Sequence, residues 1–227
     1  MPSAVASSDR CPLCGHGPCQ KLDCNVQRVF KRCPECQLTF VPERFHLSLE
    51  EEKAIYDYHE NNPDDPGYQT FLSRLTTPLS DYLKPGACGL DFGCGPGPAI
   101  APIMSEKGFS MCNYDPFYAP DVRLLNKCYD FVTCTEVVEH LRHPATTWKR
   151  LFELLSPQGT LGVMTKSIPP SLERFSHWHY TRDLSHIAFY HTETLRFIAN
   201  QYDRILVMPR SDVMIFLPQE TASQSSE

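Results

Sequence analysis

The sequence predicts an α/β fold: a doubly wound, mostly parallel sheet that ends in an antiparallel hairpin, preceded by a small cysteine-rich module. Three observations predict it. From residue 87 onward, short apolar runs alternate with amphipathic ones, the strand–helix–strand order that builds a parallel sheet with helices on both faces. The first of these strands runs into a glycine-rich loop, Leu90 to Gly97. Six of the eleven cysteines lie in residues 11–45, and four of them form two Cys-x-x-Cys pairs.

The elements follow in order. Residues 1–10 are small and polar and read as a loose tail, residues 11–45 as the cysteine module, and residues 46–85 as a helical lid or linker. Ser48–Asn61 predicts a helix with Ser48 as N-cap and Glu50, Glu51 and Glu52 in the first turn. Asn61–Gly67 reads as a turn, and Tyr68–Leu83 as a second helix interrupted near Pro78. The main domain spans 86–218. Its strands are expected at Ala87–Gly93, Ser110–Pro116, Tyr129–Val137 and Thr160–Lys166. Helices are expected at Pro98–Gly108, stopped by Gly108, and at Thr146–Gly159, with Trp148, Leu151, Phe152 and Leu155 on one face. A helix over Thr192–Gln201 leads to the hairpin runs Arg204–Pro209 and Asp212–Pro218, joined by Arg210-Ser211. Residues 219–227 read as a second loose tail.

A chain of 227 residues, 41% hydrophobic, buries a core without disulfide support. The net charge of −6 excludes a global basic field for nucleic acid or an anionic membrane, although residues 10–44 carry six Lys/Arg against three Asp/Glu. No apolar run is long enough to span a bilayer, and the first ten residues lack the apolar stretch of a signal peptide. The eleven cysteines therefore read as reduced thiols and metal ligands in a cytoplasmic protein.

Cys11-Pro-Leu-Cys14 and Cys33-Pro-Glu-Cys36 are knuckles separated by 18 residues. Four thiolates at that spacing suit one tetrahedral Zn²⁺ and predict a zinc ribbon, with Cys19, Cys24 and His16 as spare ligands. Between the knuckles, Leu22–Cys33 reads as a strand pair. Lys21, Arg28, Lys31 and Arg32 there are either phosphate contacts or a solvated face.

In the loop Leu-Asp-Phe-Gly-Cys-Gly-Pro-Gly, Gly93, Gly95 and Gly97 remove side chains where the backbone turns and approaches a ligand. Alone this is an ordinary glycine-rich turn. With its Asp-Phe-Gly-Cys-Gly-Pro-Gly wording it resembles motif I of class I S-adenosylmethionine (SAM) dependent methyltransferases, and the likeness extends from about Tyr68 to Leu217. The resemblance implies a Rossmann-like fold, SAM as cofactor, and cofactor contacts from Asp91, Gly93, Cys94, Gly95, Gly97, Asp115, Thr135 and Glu136. Asp115 ends the second strand, where a carboxylate accepts both ribose hydroxyls; otherwise it is a turn-forming residue before Pro116. Tyr129 follows Asp115 by only 14 positions, so the family's third strand and its helix are expected to be shortened, and no adenine contact is assigned.

The segment Tyr129–Pro144 resembles the fourth family motif and contains Glu136-x-x-Glu139-His140. On a helical turn these three side chains share a face and suit Mg²⁺, Mn²⁺ or Zn²⁺. Similar wording occurs in ubiquinone-pathway O-methyltransferases and in small-RNA 3′-end 2′-O-methyltransferases, which add a later histidine. Here His179, His186 and His191 are the candidates, with His186 preferred. The same residues brace the loop in metal-free relatives. His186, His140 and Glu136 are the candidate catalytic groups. Residues 175–190 hold Phe175, Trp178, Tyr180, Phe189 and Tyr190, expected either to wall a methyl-transfer pocket or, for Phe175 and Phe189, to fill a minor core. Tyr56 and Tyr68 are placed as a lid.

Three functions follow: methyl transfer to a small or sugar-like molecule, methyl transfer to RNA held by the ribbon, and a non-catalytic protein that keeps the fold. RNA binding that falls steeply with salt and vanishes in Lys31→Ala with Arg32→Ala selects the second; flat, weak binding excludes it.

Overall fold

The structure is a computed structural model that describes residues 10–24, 28–58 and 61–219. The expected tails fall almost wholly outside the described residues. No helix among the described residues is long and apolar enough to cross a membrane.

The main sheet has six strands: β4 (Cys88–Phe92), β5 (Ser110–Tyr114), β6 (Tyr129–Thr135), β7 (Leu155–Met164), β9 (Arg204–Arg210) and β10 (Val213–Pro218), in the spatial order β5-β4-β6-β7-β10-β9. The first four run parallel, and β10 is antiparallel to both β7 and β9. This is the predicted doubly wound sheet with its terminal hairpin. The crossover from β5 to β6 holds only a 3-10 turn, Val122–Asn126, so β5 is an edge strand. The shortened third unit is thus observed.

Three expected boundaries move. The helix α2 (Pro66–Ser80) starts two residues early, because Asp65 caps it by accepting from the amides of Gly67 and Tyr68 and Pro66 sits at its first position. It also runs through Pro78 without a break. Leu72, Leu75, Thr76 and Leu79 are all buried on one face, with Leu75 and Leu79 lying on Gly162 of β7, and this packing outweighs the lost hydrogen bond. The helix α4 (Pro144–Glu153) ends before Leu155, which opens β7 instead. Pro157 cannot continue a helix, and the β6–β7 register shifts between Tyr129 and Phe131 to absorb Ser156–Gly159 as a bulge. Trp148, Leu151 and Phe152 keep the expected buried face. The hairpin turns at Ser211-Asp212, one residue later than expected; Asp212 is buried there against the Arg74 guanidinium.

The cysteine module forms a second, antiparallel sheet: β1 (Gln20–Lys21), β2 (Lys31–Arg32), β3 (Thr39–Phe40) and β8 (Ala188–Phe189). The pairing residues of β1 lie just before the run expected, and residues 25–27 of that run are outside the described residues. The fourth strand comes from the main domain and was not foreseen. Cys11, Leu13, Cys33 and Cys36 pack in the same apolar core as Trp148 and Leu151, and the Ala145 amide donates to the Pro12 carbonyl at 3.3 Å.

The helix α1 (Leu49–Asp57) has the predicted cap. Ser48 accepts from the Glu51 amide at 3.2 Å while the Glu51 carboxylate accepts from the Ser48 amide at 2.8 Å. Glu52, though acidic, is buried: it accepts from Arg142 Nη2 and from the Tyr56 hydroxyl, both at 2.6 Å, and Arg142 also donates to the Leu47 carbonyl at 2.7 Å. Glu52→Gln is expected to cost roughly 1.5–3 kcal/mol, the range for a hydrogen bond to a charged group. A lowered urea midpoint at unchanged slope would show it; an unchanged midpoint would mean that α1 is held by other contacts.

Candidate active site

The glycine loop leaves the carboxyl end of β4 and turns under β5. The Gly93 and Cys94 amides donate to the Tyr114 carbonyl at 2.8 and 3.2 Å. Gly93 has φ +81°, and a Cβ there would lie 2.4 Å from Val137 Cγ2, so both backbone angle and space require glycine. At Gly97 a Cβ would lie 1.7 Å from the Asn61 carbonyl oxygen: the segment after α1 passes directly over the loop. Gly97 is therefore covered by protein and does not line the cleft, unlike Gly93, Cys94 and Gly95.

Asp115 closes the loop from the next strand. Its Oδ2 accepts from the Gly95 amide at 3.0 Å, and its Oδ1 accepts from the amides of Phe117 and Tyr118 at 2.8 and 3.1 Å. The turn role is thus realised: Oδ1 is filled by two amides, and Oδ2 keeps one lone pair. Asp91 is 3% exposed and accepts from Thr133 Oγ1 at 2.7 Å; burial pushes its pKa up to about 7, with the nearby Asp115 charge adding to the shift.

A cavity of about 650 Å³ joins this loop to the motif after β6. Asp91, Asp115, Thr135, Glu136, His140 and His186 line it, as expected, together with Tyr56 and Tyr68 of the lid. Sequence reasoning missed Asn61, Phe117, Tyr118 and Asp183, which also line it. The Tyr118 hydroxyl donates to Asp57 at 2.6 Å and ties the end of α1 across the cleft.

The acid–imidazole group differs from the expected one in one member. Glu139, His140 and His186 place ligand atoms within 4.8 Å of one another, and Glu136 is not among them. The expected helical turn does not begin at Glu136. That residue has φ +52°, and the following turn is a short 3-10 segment, Val138–His140, so Glu136 leaves the common face, its Oε2 lying 3.3 Å from the Tyr180 hydroxyl oxygen. His186, the later histidine preferred from the sequence, joins Glu139 and His140. His140 Nδ1 meets the Ser185 carbonyl at 3.1 Å and His186 Nδ1 meets the Tyr180 carbonyl at 2.9 Å. A carbonyl only accepts, so each Nδ1 carries the hydrogen and each Nε2 is the basic nitrogen. Glu139 is wholly buried. Its Oε1 accepts from the Tyr180 hydroxyl and its Oε2 has no hydrogen-bond partner among the described residues. Burial and the adjacent Glu136 push its pKa up to about 8.

The aromatic segment does not wall the cavity. Only Asp183 and His186 of residues 175–190 reach it. Phe175 and Phe189 fill a minor core against Phe30, as expected, and Tyr190 is buried between Trp148 and the Val138 carbonyl. His179 sits outside beside Lys166, and His191 precedes α6 (Thr192–Gln201), where burial lowers its pKa to about 4.

Outside the cavity lining, the thiols of Cys11, Cys14, Cys33 and Cys36 converge, with Sγ–Sγ separations of 3.5 Å for Cys11–Cys36 and for Cys14–Cys33. Zn–S bonds of 2.3 Å in a tetrahedron put sulfurs about 3.8 Å apart, so the group fits one such ion. Cys19, Cys24 and His16 are outside it.

Residues 66–203 match the family model described as a methyltransferase domain. No curated protein matches the chain. Among solved structures, a Pyrococcus horikoshii protein is similar with TM-score 0.52 and 13% identity over 76% of this chain and all of that one. The 1,6-didemethyltoxoflavin-N1-methyltransferase of Burkholderia thailandensis, with 1,6-didemethyltoxoflavin and S-adenosylhomocysteine bound, has TM-score 0.51 and 14% identity over 88% of this chain and all of that one. An O-methyltransferase family protein of the same organism has TM-score 0.48 and 12% identity; the match covers 80% of this chain but 63% of that one.

The buried Asp91 carboxyl holds a proton that the unfolded chain, with a carboxyl pKa near 3.9, has already released. Stability is therefore expected to fall as pH rises from about 4 through about 7, by roughly 4 kcal/mol at most for this one group, and then to level off. Asp91→Asn removes that slope. Thermal midpoints measured from pH 5 to 8 should fall more steeply in the natural chain than in the variant, and equal slopes would refute the assignment.

Proposed function

The chain belongs to the methyltransferase-domain family, and from that premise we propose that it transfers a methyl group from SAM to a hydroxyl or amine of a small acceptor that is uncharged or cationic. One observation carries the reading: one cavity of about 650 Å³ is lined both by the glycine loop and Asp115 and by His140 and His186. That size suits a cofactor and a small molecule side by side. The sulfonium of SAM supplies a methyl group that leaves readily. The protein's part is to align it with the acceptor, exclude water and take a proton.

Each residue has a part in this reading. The Gly93–Gly95 backbone lies against the methionine portion. Asp115 offers the remaining lone pair of Oδ2 to a ribose hydroxyl, and Thr135, Glu136, Asp91 and Cys94 complete that wall. His186, with His140, presents the basic Nε2 that accepts the acceptor's proton. The wholly buried Glu139, with one oxygen lacking a partner, and the two oriented imidazoles also fit a divalent ion, which when bound lowers the pKa of an acceptor hydroxyl. The four N-terminal thiolates fit a structural Zn²⁺, and eleven free thiols fit a reducing compartment such as the cytoplasm.

Charge favours a small acceptor over RNA. The acidic side chains Glu52, Asp91, Asp115, Glu136 and Asp183 line the cavity and, among the described residues, no Lys or Arg does. A phosphate-bearing strand finds no lining cation to pair with there. Two of the four ribbon cations named for RNA are also engaged: Arg28 faces inward onto carbonyls, and Arg32 Nε donates to Thr39 at 3.1 Å.

Calorimetric titration with S-adenosylhomocysteine should give a single site, and Asp115→Ala should weaken it at least about tenfold, equivalent to about 1.4 kcal/mol. No binding by the natural chain would sink the proposal. Binding with no turnover across neutral, cationic and phosphorylated hydroxyl and amine acceptors would instead select the non-catalytic reading. Elemental analysis should find one zinc per chain, absent from Cys33→Ser.

A further inference from the structure

One guanidinium gathers four main-chain oxygens of a single loop. Arg28 Nη1 donates to the carbonyls of Thr181 at 3.1 Å and Asp183 at 2.6 Å, and its Nη2 donates to those of Leu184 at 3.2 Å and His186 at 2.9 Å. The guanidinium carbon stands 5.6 Å over the ring of Phe30, which is fully buried edge-on against Phe175 and Phe189. Loop carbonyls that turn toward one point need donors there, since a half-buried oxygen without one is costly. Five N–H groups in a planar fork meet diverging oxygens; the three donors of an ammonium, all on one nitrogen, do not.

The loop so held is the acceptor side of the cavity. It carries Asp183 and His186 into the lining, and its Ser185 carbonyl orients His140. Its internal support is local: the His186 amide donates to the Asp183 carbonyl at 3.3 Å, Asp183 Oδ1 accepts from the Ser185 amide and hydroxyl, and the His186 ring meets the Tyr180 carbonyl at 2.9 Å and Asp183 Oδ2 at 3.7 Å. Just beyond it, the Ile187 amide donates to the Glu139 carbonyl and the Val41 amide donates to the Ile187 carbonyl, both at 2.8 Å. The chain at 187 is thereby pinned between the cysteine module and the turn that carries Glu139 and His140. The stretch before it is reached by His140, at the Ser185 carbonyl, and from the cysteine module by Arg28, at four carbonyls.

We propose that Arg28 is a positioning residue: through its guanidinium the cysteine module holds residues 181–186 at the setting where His186 meets His140 and Glu139. The module is then part of the acceptor site, not a handle attached beside it. The functional meaning of that setting rests on the reading of the cavity as a methyl-transfer site.

The test uses the full zinc-loaded chain and three variants, Arg28→Ala, Arg28→Lys and, as a control in the same module, Lys21→Ala. Amide hydrogen exchange is followed in peptides covering 181–187, 33–36 and 93–97. The carbethoxylation rate of His186 by diethyl pyrocarbonate is read by peptide mass spectrometry, and S-adenosylhomocysteine affinity by calorimetry. In both Arg28 variants, exchange at 181–187 and the reactivity of His186 should rise about tenfold or more, as local opening becomes cheaper. The other two peptides should be unchanged, and affinity should stay within about twofold because the cofactor wall is untouched. Added guanidinium ion should restore protection in Arg28→Ala, which a merely global loss of stability would not allow. Natural-like exchange and reactivity in both variants would overturn the proposal. So would faster exchange spread equally over 33–36 and 93–97 in Arg28→Lys. Failure of the natural chain to bind S-adenosylhomocysteine would refute the methyl-transfer reading alone, since the exchange result decides Arg28 without it.

Discussion

The site depends on one constraint, the parallel pairing of β4 with strands on both sides. Asp91 of β4 pairs with Asn113 of β5 and with Thr133 of β6, so three strands that leave the sheet in the same direction end along one edge. What each strand delivers after its last residue then falls into one cleft: the glycine loop, Asp115, and the Glu136–His140 turn. The Gly95 N–H of the loop and the carboxylate of Asp115 satisfy each other there, while the Gly93 and Cys94 amides donate to the Tyr114 carbonyl. A backbone that would otherwise be exposed becomes a fixed surface. The helices α1 and α2 add the cover, and the pair Glu52–Arg142 fastens that cover to the turn carrying His140.

The fold was legible because its signals are local and periodic. Strand runs, the glycine loop, the Ser48 cap and the two knuckles each declare themselves within a few residues. Boundaries moved where tertiary packing overrode a local rule: Pro78 stays in its helix because Leu75 and Leu79 are buried on Gly162, and Leu155 leaves its helix because Pro157 cannot follow it there. The candidate site was legible in residue type but not in grouping. Spacing alone brought Glu136 together with Glu139 and His140. It carries no information about a positive φ at a non-glycine residue, which is what turns Glu136 aside and admits His186. Nor does spacing reveal contacts between distant segments. Arg28 lies 153 to 158 positions from the carbonyls it holds, and its charge read equally well as a solvated face or a phosphate contact.

Buried carboxylates recur through the site. Asp91 and Glu139 both sit where burial favours the protonated form, and Glu136 is raised in the same direction. Empty of cofactor and acceptor, such a cleft makes ionising these groups costly. A sulfonium cation entering it relieves part of that cost. The same feature that destabilises the unliganded chain thus supplies affinity for a positively charged donor.

The small sheet built from β1, β2, β3 and β8 has a consequence for how the chain matures. Three of its strands are complete by residue 40, but the fourth is residues 188–189. During synthesis the N-terminal segment must therefore wait, with Phe30 uncovered and Arg28 without its carbonyls, until nearly the whole catalytic domain has been made. The knuckles can close early around their ion, but the edge presented by Thr39 and Phe40 stays open to any passing strand until its own partner arrives.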